Sequence, residues 1–397
     1  MSRFAYWALL ILILAAGAFV RLYPSAGYKR VGFDEVIYSK YVSILEKKSL
    51  TDYPDFCESY VELQKREEAA VLPPTRFLYV YSAHLWHRVI GGEPYRALVH
   101  VSAFFSILAL IVTAGFAFRL GGPWMSLATT ALMSMAMNQV HQAQHAMIDG
   151  FFTFWCLVSL WSLWENLQNP DRRRWLVIYG LSLAAMVTTK ENSFFVVLAI
   201  CGILVANHWL RFGVGTRALY LTTFAAPLSG FVFLVFLAGG LDVFFEMYRL
   251  LVEKSKVLPY AVLNGDGPWY RYFVDLMIIC PIVMVLAIGR SFQVRRDEKG
   301  LLFLLVFFGL TFAVMANVKY GMNIRYATIW DMPLRFLAAS QLVLLANRLG
   351  TRGPLVMIGL TVAFTGFELY QYYVFCVSYP SYALIGDDLL RAVRIIK

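Results

Sequence analysis

Charge is what this sequence has least of. Of its 397 residues only 15% are Asp, Glu, Lys or Arg, while 59% are hydrophobic. Soluble domains carry about a quarter of their residues charged, so this balance excludes an ordinary soluble protein. The mean hydropathy of +0.61 agrees with an integral membrane protein. Cysteine is scarce too, with five in the chain. Cys156, Cys201 and Cys280 fall inside apolar runs, which provides neither a disulfide framework nor a cysteine metal cluster. Cys57 and Cys376 are the one pair expected on a common membrane face. The chain has no internal repeat and no low-complexity tract. No small-residue cleavage site precedes Arg21, so the apolar run Phe4–Tyr23 reads as an anchor and not as a cleaved signal.

What is present is apolar and aromatic. The run Phe4–Tyr23 is long enough to cross the hydrocarbon core, which takes about 20 residues as a helix. Ten further apolar segments follow: Ala97–Leu120, Pro123–Asn138, Gly150–Leu167, Trp175–Thr189, Ser193–Leu210, Ala218–Gly240, Tyr270–Gly289, Leu301–Ala316, Thr328–Ala346 and Pro354–Val377. The 23 Tyr and 10 Trp flank many of these runs, as interfacial belts require. The fold class is therefore an all-α polytopic membrane protein with eleven spans. Arginines recur at every second loop (Arg172–Arg174, Arg211 and Arg217, Arg290 to Lys299, Arg348 and Arg352), which makes those loops cytoplasmic by the positive-inside rule. The net charge of +10 is thus a topology signal, with no nucleic-acid partner implied.

The same reading places residues 24–92 outside as a first large loop. It carries interfacial helices at Glu35–Lys48 and Glu58–Ala70, then a helix from Pro73-Pro74 to Ile90 that dips without crossing. Residues 241–268 form a second outer loop. Residues 1–397 make one membrane domain, with too little chain after the last span for a soluble C-terminal domain.

That outer face gathers unusual residues. Asp34 and Glu35 follow the first span directly, and a carboxylate pair can divide the roles of general base and orienting group. The plain alternative is a solvated helix N-terminus. His141, His145 and Asp149 recur at a spacing of four, one face if helical, and could hold a metal or a sugar. Lys190-Glu191 interrupts two apolar runs with no loop between, so the charges sit at or inside the interface, as functional groups or as a mutual staple. Lys319 and Arg325-Tyr326 break the expected poverty of cations outside, and Arg325 suits a phosphate or simply snorkels. Together these are acids, cations and aromatics at headgroup depth on one face.

In order, RLYP, GFDE, a proline pair opening a helix, an Asp ahead of FF, TKEN, and RY opening a late span resemble the GT-C superfamily of membrane glycosyltransferases. The likeness is greatest to the family of protein O-mannosyltransferases and lipid A aminoarabinose transferases, and runs from Arg21 to about Leu344. It implies an inverting transfer from a polyprenyl-phosphate sugar to a lipid, glycan or protein acceptor on the non-cytoplasmic face, in a bacterial or archaeal cell membrane. It further implies Asp34 as base with Glu35 adjoining, Asp149 as the second outer-loop acid, and Lys190 and Arg325-Tyr326 at the cavity and carrier phosphate; Glu191, His145 and Lys319 join the substrate-binding candidates by their place on the same face. Relatives often place His or Lys before the proline pair. Here Val71-Leu72 stand there, which leaves that contact to Arg76. A divalent cation at Asp34, Glu35 and His141 stays open. So do two other readings: a transporter or flippase, which would show repeats and mid-bilayer breaks, and an inactive lipid-binding scaffold.

Overall fold

Residues 2–23, 31–319, 321–379, 381–382, 384 and 386–393 are described by a computed structural model. Regular structure among them is helical throughout. The first anchor is α1 (Arg3–Leu22), followed by α2 (Phe33–Lys47), α3 (Tyr53–Arg66) and α4 (Phe77–Ile90). Next come α5 (Pro94–Ser134), α6 (Met137–Ala143), α7 (Ile148–Gln168), α8 (Arg173–Val187), α9 (Ser193–Leu210) and α10 (Arg217–Leu237). The second half holds α11 (Leu241–Ser255), α12 (Pro259–Asn264), α13 (Arg271–Ile279), α14 (Pro281–Ser291), α15 (Lys299–Met315), α16 (Asp331–Asn347), α17 (Gly353–Tyr372) and α18 (Gly386–Ala392).

The chain is the polytopic helical bundle anticipated above, but its helices do not match the apolar runs one for one. Among the described residues six helices are long and apolar enough to cross a membrane, or seven if the bent pair α6–α7 counts as one span, where eleven spans were expected. The difference has three sources: the segments expected on either side of Gly122 run together as α5, α8 and α15 are only 15 and 17 residues long, and one run is split. Gly122 takes a positive φ of 77° ahead of Pro123, and α5 folds back on itself there. Only glycine adopts that conformation without strain. The run Tyr270–Gly289 splits at Cys280-Pro281 into α13 and α14, because a proline inside a helix removes a hydrogen bond and clashes with the preceding turn.

Other boundaries also move. The interfacial helix expected at Glu58–Ala70 begins earlier, at Tyr53, with Pro54 in its first turn. The helix expected from Pro73-Pro74 starts only at Phe77. The second outer loop is largely helical, as α11 and α12, and α11 packs on α3. The start of the first outer loop, residues 24–30, lies outside the described residues. No disulfide joins Cys57 to Cys376 among the described residues. Cys57 is packed near the Leu237 carbonyl and Cys376 near His141.

Two ends of the bundle are chemically distinct. At one, the arginine loops close on each other: Gln168 Nε2 donates to the Phe212 carbonyl at 2.6 Å and Val214 N to the Leu167 carbonyl at 2.8 Å. At the other, the breaks α6–α7, α8–α9 and α15–α16 converge with the starts of α2 and α4. Between the ends, Arg335 on α16 bonds Asp331 one turn back, at 2.5 Å, and Glu368 on α17. Sequence reading had not singled out this buried network. Gln139 Nε2 joins it at 2.9 Å from Asp331.

Taking one partner out of a buried ion pair strands the others, at about 3–5 kcal/mol. Arg335→Met should therefore lower the thermal unfolding temperature in detergent markedly. Adding Asp331→Asn and Glu368→Gln to it should recover part of the loss. Equal stability of Arg335→Met and wild type would show that the network is not holding α16 to α17.

Candidate active site

The site is built where helices stop. A carboxylate or cation in the middle of an apolar helix would face lipid, so charges collect at corners where backbone and other side chains can meet them. Asp34 and Glu35 lie in the first turn of α2, where the helix dipole favours acids. Arg76 is the N-cap of α4. Lys190 and Glu191 form the α8–α9 corner, and Arg325-Tyr326 lie in a 3₁₀ segment, Ile324–Trp330, leading into α16.

That segment is held firmly. Asn138 Nδ2 donates to the Ile324 carbonyl at 2.9 Å, Gln139 Nε2 to the Thr328 carbonyl at 3.0 Å, and Trp330 Nε1 to Thr311 Oγ1 at 2.8 Å. Trp330 is buried among Tyr272, Phe308 and Phe312. From this support Arg325 Nη1 reaches Asp34 Oδ2 at 2.7 Å. Its Nε lies 3.9 Å from Asp149 Oδ2, and neither of those two atoms has a hydrogen-bond partner. Asp149 Oδ1 instead accepts from Lys190 Nζ, which also sits 3.9 Å over the Tyr326 ring. Arg76 Nε donates to Glu191 Oε2 at 3.1 Å and its Nη1 to the Tyr38 hydroxyl at 2.5 Å.

The members differ in access. Asp34 and Arg325 keep 18% of their side chains exposed, whereas Lys190 and Asp149 keep 1% and 2%. Lys190 therefore faces inward, and the open edge of the cluster holds the Asp34–Arg325 pair together with Glu191, which keeps 31%. Burial pushes the Asp34 carboxyl up, but Arg325, and behind it Arg76 and Lys190, hold it below its ordinary value. Asp34 is thus an anion at neutral pH.

Glu35 behaves differently from its neighbour. It is fully buried and accepts from Gly32 N at 2.7 Å, Ala146 N at 2.8 Å, His145 Nδ1 at 3.1 Å and Tyr95 at 3.4 Å. Burial raises its carboxyl, and the His145 and backbone donors more than offset that, leaving it below its ordinary value. It latches α2 to the α6–α7 corner.

His141, His145 and Asp149 do not share one helix face. The chain leaves helix after Ala143 and re-enters at Ile148, bending by 119°. His141 Nε2 meets the Tyr382 carbonyl at 2.9 Å, and the two histidine rings lie 4.7 Å apart. Asp34, Glu35 and His141, the set considered for a divalent ion, are not gathered. Each is committed to a different partner, and no group of three His, Cys, Asp or Glu among the described residues could hold a metal ion. Lys319 is exposed and stands outside the cluster.

Three participants were not anticipated. Tyr38 lies one turn after Asp34 on α2, a spacing that could have flagged it. Tyr95 and Tyr382 come from distant segments and carry no sequence signal. Tyr382 packs so close to Gly32 that a Cβ there would fall 1.8 Å from its ring, which is why that position is glycine.

This architecture, with paired acids and cations at one end of a polytopic helix bundle, is that of the GT-C membrane glycosyltransferases. It is similar to that of ArnT from Cupriavidus metallidurans bound to undecaprenyl phosphate (15% identity, TM-score 0.53), covering 98% of this chain and 76% of that one. It is also similar to the apo oligosaccharyltransferase of Archaeoglobus fulgidus (13% identity, TM-score 0.61), covering 98% of this chain and 56% of that one. The AglB complex from the same organism, with an inhibitory peptide and a dolichol-phosphate, covers the same shares (12% identity, TM-score 0.60). The chain thus spans little more than half the archaeal enzyme. Among curated proteins there is no sequence match. The sequence profile of the dolichyl-phosphate-mannose-protein mannosyltransferase family matches residues 11–250, more than half of the chain, and the chain belongs to that family.

The Glu35 latch makes a stability prediction. A group whose folded value is lowered stabilises the fold above its ordinary value, 4.5, and loses that contribution as pH falls toward the folded value. Glu35→Gln should cost about 1–3 kcal/mol at neutral pH. It should also flatten the fall in unfolding temperature below pH 4.5. An unchanged acid profile would remove Glu35 from the latch.

Proposed function

We propose that this protein transfers a sugar from a polyprenyl-phosphate donor to a lipid, glycan or protein acceptor, with inversion, at the non-cytoplasmic face. The observation that carries the proposal is the partly open Asp34–Arg325 pair in front of the buried Lys190–Asp149 pair. Arg325 is the cation a leaving phosphate can reach, and its planar fork suits phosphate oxygens. Lys190, held by Asp149 and Tyr326, adds positive field from behind and fixes Asp149.

While Arg325 holds Asp34, that carboxylate is a weak base. When the donor phosphate takes Arg325, Asp34 loses its strongest compensating charge and burial raises its basicity. Asp34 then removes the acceptor hydroxyl proton while that oxygen bonds the anomeric carbon. The anomeric C–O bond breaks, and the electron pair leaves with the polyprenyl phosphate. Arg325 meets the charge as it develops. Glu35 is a positioning residue, and Arg76, anchored by Glu191 and Tyr38, orders the rim.

Asp34→Asn should keep the fold and lose ~10²–10⁴-fold in turnover. Arg325→Ala should cost roughly 10- to 150-fold in kcat/KM, the equivalent of one charge-assisted hydrogen bond, with Arg325→Lys intermediate. The pH profiles discriminate further. Wild-type kcat/KM should show no acid limb from Asp34 above its ordinary value of 3.8, and Arg325→Ala should move that limb upward. Steady-state assays of purified protein in nanodiscs against a polyprenyl-phosphate sugar supply both readouts. Near-normal turnover in folded Asp34→Asn would sink the assignment.

The orientation is tested separately. Accessibility reporters in the Asp171–Arg174 loop and in the Gly265–Gly267 loop should fall on opposite sides of the membrane, the first inside. The same side for both would overturn the alternating topology.

A further inference from the structure

The helices α2 and α4 lie side by side and run in the same direction. Tyr38 meets Arg76 near their starts, and Glu46 Oε1 meets His87 Nε2 at 2.5 Å near their ends. From Asp34 to Glu46 the helix rises ~18 Å at ~1.5 Å per residue. What lies at the far end is therefore separate from the active site. There lies a half-open pocket of about 600 Å³, lined among others by Lys47, Lys48, Ser49, Tyr81, His84 and Arg88. That volume falls within the ~300–1,000 Å³ of small-molecule sites.

The lining is basic on balance, with Lys47, Lys48 and Arg88 against the acid Glu46. Lys47, Lys48 and Arg88 are exposed and make no ion pair among the described residues. The acid in the lining, Glu46, is turned to His87. At the inner wall His84 is only 7% exposed, and its Nδ1 is buried without a hydrogen-bond partner. Burial, then Arg88, keep the His84 ring below its ordinary value and hence neutral, with a nitrogen available to donate or accept. The turns flanking this basic mouth are apolar: Leu50, Leu85, Val89 and Ile90 are 42%, 45%, 81% and 63% exposed. A lone phosphate would satisfy the cations and leave this rim in water. An anionic amphiphile satisfies both.

We infer that this pocket is a binding site for the phosphate headgroup of an anionic membrane phospholipid. The phosphodiester sits among Lys47, Lys48 and Arg88 against His84, and the acyl chains lie over Leu85, Val89 and Ile90. The site secures the far end of the α2–α4 pair to the membrane surface, while the near end carries Asp34 and Arg76.

The test uses the full-length protein and three probes: phosphatidylglycerol, phosphatidylcholine and inorganic phosphate. Native mass spectrometry from detergent should show wild type retaining phosphatidylglycerol over phosphatidylcholine. Lys47→Ala/Lys48→Ala/Arg88→Ala should weaken that retention about ten-fold or more, the least expected for a lost charge-assisted contact. His84→Phe should weaken it as well, with all exposed charge intact. If His84→Phe fails to fold, the exposed triple variant still decides, since its side chains are not core. A control variant, Arg172→Ala/Arg173→Ala/Arg174→Ala, should keep wild-type affinity. Equal loss in that control would mean only diffuse surface attraction and would overturn the site. Unchanged retention in the Lys47/Lys48/Arg88 variant would overturn it too. Inorganic phosphate binding as tightly as phosphatidylglycerol would overturn the lipid assignment and leave a free-anion site.

Discussion

The desolvated pairing of Lys190 with Asp149, extended through Tyr326 to Arg325, is the constraint on which this end of the molecule depends. Taking a carboxylate and an ammonium almost wholly out of water costs several kcal/mol each, and only close pairing with further donors offsets it. Asp149 sits at the start of α7 and Lys190 at the end of α8, so the pair closes the two helices at the charged end. Arg325 arrives from the other half of the chain, and its 3₁₀ segment is tied down by Asn138, Gln139 and Trp330. Each tie fixes a backbone that could otherwise drift. The consequence is a site whose inner members are immobile and whose outer pair, Asp34 and Arg325, keeps some access to its surroundings.

A second network, Asp331–Arg335–Glu368, lies one step deeper and shares Gln139 with the site above. Gln139 bonds both the Thr328 carbonyl and the Asp331 carboxylate, so the floor of the site and the seam between α16 and α17 are mechanically one piece. Burying four ionisable or amide side chains where lipid-like packing would be cheaper is costly in stability. It gives the register of α16 only one satisfactory solution, which is what a site assembled from several helix ends requires.

Much of this was legible in the sequence, for physical reasons. Low charge and long apolar runs admit few alternatives to a helical membrane fold, and charges that violate the lipid environment stand out against such a background. Asp34, Asp149, Lys190 and Arg325 were visible for that reason. The partition among them was not. Glu35 and Asp34 are neighbours, yet on a helix neighbours point about 100° apart, and one became a buried latch while the other faces the opening. The His141–His145–Asp149 spacing suggested a continuous helix because periodicity says nothing about a 119° corner. Cys280-Pro281 divided the run Tyr270–Gly289, which hydropathy alone counts as unbroken. Asp331 and Arg335, one turn apart on α16, and Glu368 went unread because they are few charges inside apolar stretches, and only tertiary folding brings Glu368 to the other two.

The ring of Tyr382 rests on the backbone of Gly32, next to His145, and its carbonyl meets His141. Tyr382 is translated after α17, whereas Gly32 precedes α2. A ribosome inserting this chain therefore makes the carboxylates first and the residue that packs over them only once every long apolar helix has emerged. Until that late segment docks, the α2 start lacks the ring that fills the space above Gly32. Nascent, half-inserted chains thus carry an unfinished centre, and competence is timed to the end of membrane assembly rather than to the synthesis of the charged residues themselves.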